Sequence, residues 1–157
     1  MTKGRTLIGI ISDTHGLLRE ESLEALKGSE VIIHAGDIGG LEILDALKSL
    51  APVVAIRGNT DHGGWAQSLS AKAVAEVGET MIYVLHDIKE LDLDPAAAGF
   101  RMVVSGHSHK PETYERSGVT YLNPGSAGPR RFQLPITLAR VEIGVEPWKI
   151  DFVDLST

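Results

Sequence analysis

The chain has 157 residues, no cysteine and a formal net charge of −6 at neutral pH. That length bounds a single domain, 1–157, with enough interior to fold without staples, and the missing cysteines exclude disulfides and thiolate metal sites and fit a reducing, cytoplasmic setting. Basic residues adjoin only at Arg130-Arg131 and no apolar run approaches the roughly 20 residues of a membrane span, so neither nonspecific nucleic-acid binding nor membrane insertion is expected.

Residues 5–12 read as a short strand rich in β-branched side chains, starting so early that no signal peptide is expected. Residues 20–27 carry Leu23 and Leu26 at helical spacing, and 30–35 is a second strand. An amphipathic helix over 41–50 repeats leucine every three residues, at Leu41, Leu44, Leu47 and Leu50. Pro52 closes it and opens a third strand over 53–56. This βαβαβ order predicts parallel strands joined by right-handed crossovers. Residues 71–77 and 80–85 then flank Gly78-Glu79, a hairpin signal. Asp94-Pro95 looks like a helix start, but only a short alanine-rich turn follows. From residue 101 the chain reads as strands and tight turns, with tips at Ser117-Gly118 and Gly144-Val145. Residues 136–143 and 148–153 alternate as half-buried antiparallel strands. A parallel first half and an antiparallel second half predict an α/β fold of two mixed sheets packed face to face, with helices outside. No repeat, low-complexity tract or linker divides it.

Five of the apolar runs (7–11, 31–33, 53–56, 81–85 and 102–104) lead directly into residues that bind metal. In α/β sheets, ligands sit beyond the carboxyl ends of the strands. Asp13, His15, Asp37, Asn59, His86, His107 and His109 are therefore expected on one rim. Asp13 and His15, in extended chain, would point to the same side. His107 and His109, ~6–7 Å apart along a strand, would straddle two ions ~3.5–4 Å apart. Asp37, with two oxygens, could bridge the pair. Singly, each has a plainer reading. Asp13 could cap a helix, Asn59 after Gly58 could be a turn residue, His86 a core histidine, and His107 and His109 a solvent-facing pair. Together they include four of the six histidines and favour a two-ion site. Imidazoles, carboxylates and one amide suit manganese, nickel, iron, cobalt or zinc, with manganese the first choice, and are too nitrogen-rich for magnesium or calcium alone.

The ordered set D-x-H…GD…GN…H…GHxH appears as Asp13/His15, Gly36-Asp37, Gly58-Asn59, His86 and Gly106-His107-Ser108-His109. It resembles the calcineurin-like metallophosphoesterases over nearly the whole chain. Asn123-Pro124-Gly125-Ser126, followed by Pro129-Arg130, resembles the tail motif of their small bacterial and archaeal phosphodiesterase branch. The resemblance implies a four-layer αββα sandwich. It implies one ion on Asp13, His15, Asp37 and His109 and a second on Asp37, Asn59, His86 and His107, with Asp37 shared. It also implies hydrolysis of a small phosphodiester or nucleotide, a water between the ions being acidified to attack phosphorus in line. Two other readings share this fold: a non-catalytic protein-binding scaffold, as in the retromer subunit that resembles the same branch, and a phosphomonoesterase or nucleotide pyrophosphatase. The chain is compatible with a homo-oligomer.

Larger relatives carry a histidine after the asparagine to protonate the leaving group; here that residue is Thr60, a poor acid. Asp61 keeps the acidic place that follows, to orient a neighbour or the solvent, and His62 is a substitute acid or a surface residue. The expected catalytic set is thus Asp37, Asn59, Asp61 and His62, with His34 and Thr60 supporting from behind. Asp87, where many relatives have glycine, is expected to narrow the approach or repel anions. Arg57, Arg130 and Arg131 read as solvated surface residues ahead of phosphate binders.

Overall fold

The structure is a computed structural model that describes residues 4–156. In chain order the elements are β1 (Thr6–Ile11), α1 (Glu20–Leu26), β2 (Val31–His34), α2 (Leu41–Lys48), β3 (Val53–Ala55), α3 (Gly64–Gln67), β4 (Lys72–Val77) and β5 (Thr80–Leu85). A 3₁₀ turn (Ile88–Glu90) leads to β6 (Met102–Val104), β7 (Glu112–Arg116), β8 (Val119–Asn123), β9 (Thr137–Ile143) and β10 (Lys149–Asp154).

These strands form two five-stranded mixed sheets, ordered β10-β9-β1-β2-β3 and β4-β5-β6-β8-β7. The α1 and α2 crossovers make β1, β2 and β3 parallel, while β9 and β10 add antiparallel strands on the other side of β1. The second sheet is less antiparallel than its hairpin signals imply. β5, β6 and β8 run parallel, because 88–101 and the β7 hairpin arm carry the chain back between them. All the strands that precede the expected ligands therefore end at one rim.

The alternating strands bury Ile8, Ile10 and Ile33 against Ile82, Val84, Met102 and Leu122 between the sheets. On the outer face of the first sheet, α1 and α2 cover Ile11, Ile32 and Leu138 with Leu26, Ile43, Leu44 and Leu47. The buried stripe of α2 is thus Ile43, Leu44 and Leu47, and Leu41 is 47% exposed. A strict three-residue repeat drifts around a helix of 3.6 residues per turn, so the leucines cannot all face the core. Among the described residues, no α-helix covers the outer face of the second sheet. Tyr83, Leu85, Val103 and Tyr121 are covered by Ile88, Leu91, Leu93 and Phe100, from the 3₁₀ turn and the segment after it. Asp94 does cap the backbone N–H groups of Ala96 and Ala97, but the chain turns at Gly99 before a second helical turn can form. The fourth layer is therefore thin. Among the described residues, no helix is long and apolar enough to cross a membrane.

Candidate metal centre

Beyond the last residues of β1 and β2, two loops zip together: the N–H groups of Asp13, His15 and Gly16 donate to the carbonyls of Gly36, Asp37 and Ile38 at 2.9–3.0 Å. The backbone is left-handed at Asp13 (φ 56), His15 (φ 47), Asp37 (φ 56), His107 (φ 71) and His109 (φ 64). This corrects the extended-chain picture of both i, i+2 pairs. β1 stops at Ile11 and β6 at Val104, so each pair lies in a turn that aims side chains by backbone twist rather than by strand alternation. Asp13 and His15 still converge, with His15 Nε2 3.8 Å from Asp13 Oδ1. His107 and His109 part company.

Among the described residues, two groups bring candidate ligand atoms within 4.8 Å of one another: Asp13, His15 and His109, and Asp37, His86 and His107. They share a border. Asp37 Oδ2 lies 3.1 Å from His86 Nε2 and 3.7 Å from His15 Nε2. Asp13 Oδ1 lies 3.3 Å from His109 Nε2 and 3.8 Å from His86 Nε2. Asp13 Oδ1, His15 Nε2 and His86 Nε2 are buried without a hydrogen-bond partner. Buried polar atoms are normally paired, and orphaned carboxylate and imidazole donors turned to one space are a set that divalent transition metals fit. Asn59 is exposed and shares with His86, His107 and Arg57 the lining of a cleft of about 260 Å³.

The other atom of Asp13, of Asp37 and of His86 is held, whereas His109 Nδ1 is buried without a partner. Asp13 Oδ2 accepts from Ser12 Oγ (2.7 Å) and the His107 N–H (3.1 Å), leaving Oδ1 to the site. Asp37 Oδ1 accepts from the Thr60 N–H at 3.0 Å. His86 Nδ1 donates to the Ala35 carbonyl (2.7 Å), which can only accept, so Nε2 carries the lone pair when the ring is neutral. Burial works against the His86 cation, but Asp37, the Ala35 carbonyl and Asp13 outweigh it and raise its metal-free pKa to about 9. Burial likewise works against ionised Asp37, yet His86 and Thr60 hold its carboxyl well below the usual range.

His34 is fully buried. Its Nδ1 accepts from the Gly36 N–H (3.1 Å), so its Nε2–H donates to Thr14 Oγ1 (3.0 Å), which passes its own proton to the Ile38 carbonyl (2.7 Å). Burial pushes its pKa down to about 4 despite nearby Asp13 and Asp61. His34 thus ties together the loops bearing Asp13, His15 and Asp37. Asp61 does similar work: its two oxygens accept from the N–H groups of Ile38, Gly39 and Gly58 at 2.9–3.1 Å. Both of its oxygens are thus turned to neighbouring backbone N–H groups rather than to the cleft. His62 is exposed and, among the described residues, its side chain makes no hydrogen bond or ion pair. Thr60 is exposed beside it. Arg57 turns its guanidinium to the Leu69 carbonyl, and Arg130 and Arg131 are exposed. Asp87 Oδ2 lies 3.8 Å from His107 Nε2, and both residues line the cleft.

Two buried residues escaped the reading of the tail motif as a mere signature. Asn123 Nδ2 donates to the Gly106 carbonyl (2.9 Å) and Ser108 Oγ (3.1 Å), fixing the loop of both histidines. Ser126 Oγ donates to the Asp13 carbonyl at 3.0 Å. Their signal was their polarity at the end of an apolar strand, 119–123. Gly58 and Gly106 are required by close approach: a Cβ on either would collide with the carboxylate of Asp37 or of Asp13, respectively.

Residues 7–146 match the family model for the calcineurin-like phosphoesterase superfamily domain. Two archaeal relatives are both named "probable metallophosphoesterase". The one from Methanocaldococcus jannaschii is 37% identical over 136 residues, covering 78% of this chain and 69% of its own. The one from Methanothermobacter thermautotrophicus is 32% identical over 132 residues, covering 76% of each. Among solved structures, a conserved uncharacterized protein of Streptococcus pneumoniae, described as a predicted phosphoesterase, is 25% identical with a TM-score of 0.78, covering 98% of this chain and 91% of its own. Entamoeba histolytica Vps29 in complex with zinc is 25% identical with a TM-score of 0.72, covering 95% and 99%. An archaeal phosphodiesterase shares the fold at 21% identity and a TM-score of 0.78, covering 94% and 100%. With the family match running from within β1 to the turn before β10, the chain belongs to the calcineurin-like phosphoesterase superfamily.

Proposed function

We propose that this chain is a single-domain, cytoplasmic, dinuclear metal-dependent phosphodiesterase that hydrolyses a small phosphodiester or nucleotide. The observation that carries the reading is Asp37 Oδ2, set between imidazoles of the two ligand groups with unpaired nitrogens on both sides. Asp13, His15, Asp37 and His109 would hold one ion, and Asp37, Asn59, His86 and His107 the other. Manganese is the first candidate, ahead of nickel, iron, cobalt and zinc. Such a pair, when bound, supplies a nucleophile from water at neutral pH and positive charge for the phosphoryl oxygens. The protein's part is to hold Asp37 ionised, keep Asp13 Oδ1 and His86 Nε2 turned to the site, and leave the Asn59–His107 side open to the ester. Thr60 offers no proton to the leaving group, so esters of good leaving groups are favoured.

The second reading is a protein-binding scaffold, favoured by the likeness to Vps29, and because one Vps29 is described in complex with zinc, metal binding alone does not separate the two. Turnover does. Bis-p-nitrophenyl phosphate and p-nitrophenyl phosphate are assayed with manganese, with nickel and without metal. Metal-dependent hydrolysis of the diester over the monoester is expected. A preference for the monoester would point to a phosphomonoesterase, and no hydrolysis of either by a metal-loaded protein would favour the scaffold.

A further inference from the structure

Resting on the phosphodiesterase reading, we propose that a pocket beside the metal centre receives an amino-bearing nucleobase, so that the ester hydrolysed is a nucleoside phosphodiester. The pocket, of about 180 Å³, lies on the outer face of the second sheet, next to the 3₁₀ turn. His107 and Asp87 line both this pocket and the metal-side cleft. An ester with phosphorus at the metals can therefore reach the pocket with its organic group.

One wall is aromatic. Tyr114 and Tyr121 are cross-strand partners on β7 and β8, their rings stacked with centroids 5.0 Å apart and planes 4° apart. The Arg116 guanidinium sits 5.5 and 5.8 Å from the two ring centroids and steadies the pair. Tyr121 is nearly buried, whereas Tyr114 is 39% exposed and free to meet a solute. Flat, fixed aromatic surfaces of this kind stack bases. The volume is below the roughly 300–1,000 Å³ of pockets for drug-sized ligands, which limits the occupant to one ring system. Charge selects the kind of ring. The Asp87 and Glu112 carboxylates outnumber the single ammonium of Lys89. A second phosphate is repelled, and N–H donors are favoured. The exocyclic amines of adenine, cytosine and guanine supply them, where thymine has no amine and only one ring N–H, flanked by two carbonyls.

The test uses the full-length protein with manganese, and adenosine as a phosphate-free probe followed by ligand-observed NMR. Saturable binding of adenosine, tighter than that of thymidine, is expected, weakened about 10-fold in Tyr114→Ala and also weakened in the exposed Glu112→Gln. In parallel, adenosine 5′-(p-nitrophenyl) phosphate is compared with methyl p-nitrophenyl phosphate, which has the same leaving group. The ratio of their kcat/KM values should be about 10 or more and fall towards one in Tyr114→Ala. No adenosine binding, binding unchanged in both variants, or thymidine bound as tightly overturns the pocket assignment whatever the turnover. Hydrolysis of neither ester, with adenosine binding sensitive to both variants, overturns the phosphodiesterase reading instead and leaves the base pocket supported.

Discussion

Asp13 and His109 are buried and His15 is half-buried, whereas the second ligand group ends in His107, whose side chain is 47% exposed, next to the exposed Asn59. On the closed side every supporting contact is internal: Ser12 and the His107 N–H on Asp13, Ser126 on its carbonyl, and His34 behind the loops. On the open side, Asn59, Thr60 and His62 stand in solvent on one loop. The contrast divides the labour of the site. On the proposed reading, Asp13, locked by packing and hydrogen bonds, would be preorganised to hold an ion, and the donors at the cleft would leave coordination room for an ester.

The strongest way to break that division is at the residue common to both sides. Asp37→Ala should reduce bound metal from roughly two ions per chain to less than one by elemental analysis, and abolish turnover; full metal content in this variant would sink the shared-ligand assignment. The next effect tests the open side. Without an acid at Thr60, alkyl esters should react slower than aryl esters by more than leaving groups demand of a fully assisted enzyme, general acid catalysis contributing ~10²–10⁴-fold. A steep dependence of kcat/KM on leaving-group pKa is expected, made shallower by Thr60→His. A flat dependence in the wild type would show that an acid is already present.

On the closed side, His34→Ala should lower metal affinity or activity about 10–100-fold, the range for residues that orient ligands, measured by metal titration and by initial rates. His34 also gives the metal-free protein a pH dependence. Its folded pKa of about 4 lies below the ordinary 6.5. Between those values the unfolded chain takes up a proton that the folded chain refuses, so this contribution is complete above pH 6.5 and lost as pH falls towards 4, by about 3 kcal/mol. His86 has the opposite sign: raised to about 9, it stabilises below 6.5 and loses that contribution as pH rises through 9. Urea denaturation of the metal-free protein should therefore give greatest stability near pH 6.5 as far as these two histidines set it, and His34→Gln should flatten the acid limb. The smallest effect is at His62. His62→Ala should change diester turnover less than about twofold, within what a surface residue allows, and a collapse of activity would identify His62 as the missing acid.

The strand ends were legible because apolar runs such as 31–33 and 102–104 announce buried strands, and the polar residues a few positions beyond each, Asp37 and His107 among them, must lie near the rim. The turn geometry was not. Alternation describes a strand only while its ladder continues, and Asp13, His15, His107 and His109 all lie past it. Asp61 read as chemistry because a carboxylate near a metal motif suggests a proton or a water. Its service to three backbone N–H groups depends on how two distant loops meet, which no local pattern encodes. Leu41 failed for the opposite reason: its spacing was local, and the packing of α2 followed the true helical period instead.

Five of the proposed ligands hold a left-handed backbone, a conformation that costs an ordinary residue about 1–2 kcal/mol. The polypeptide is under strain where it is most useful, and the ions relieve none of it unless they are bound. For the bare fold, replacing His15 or His107 by glycine is a release of tension and should make the metal-free domain sturdier. Losing these two histidines is consequently downhill in stability for the metal-free fold. A lineage that stops needing the ions can relax its rim into a firmer platform without disturbing the sheets beneath.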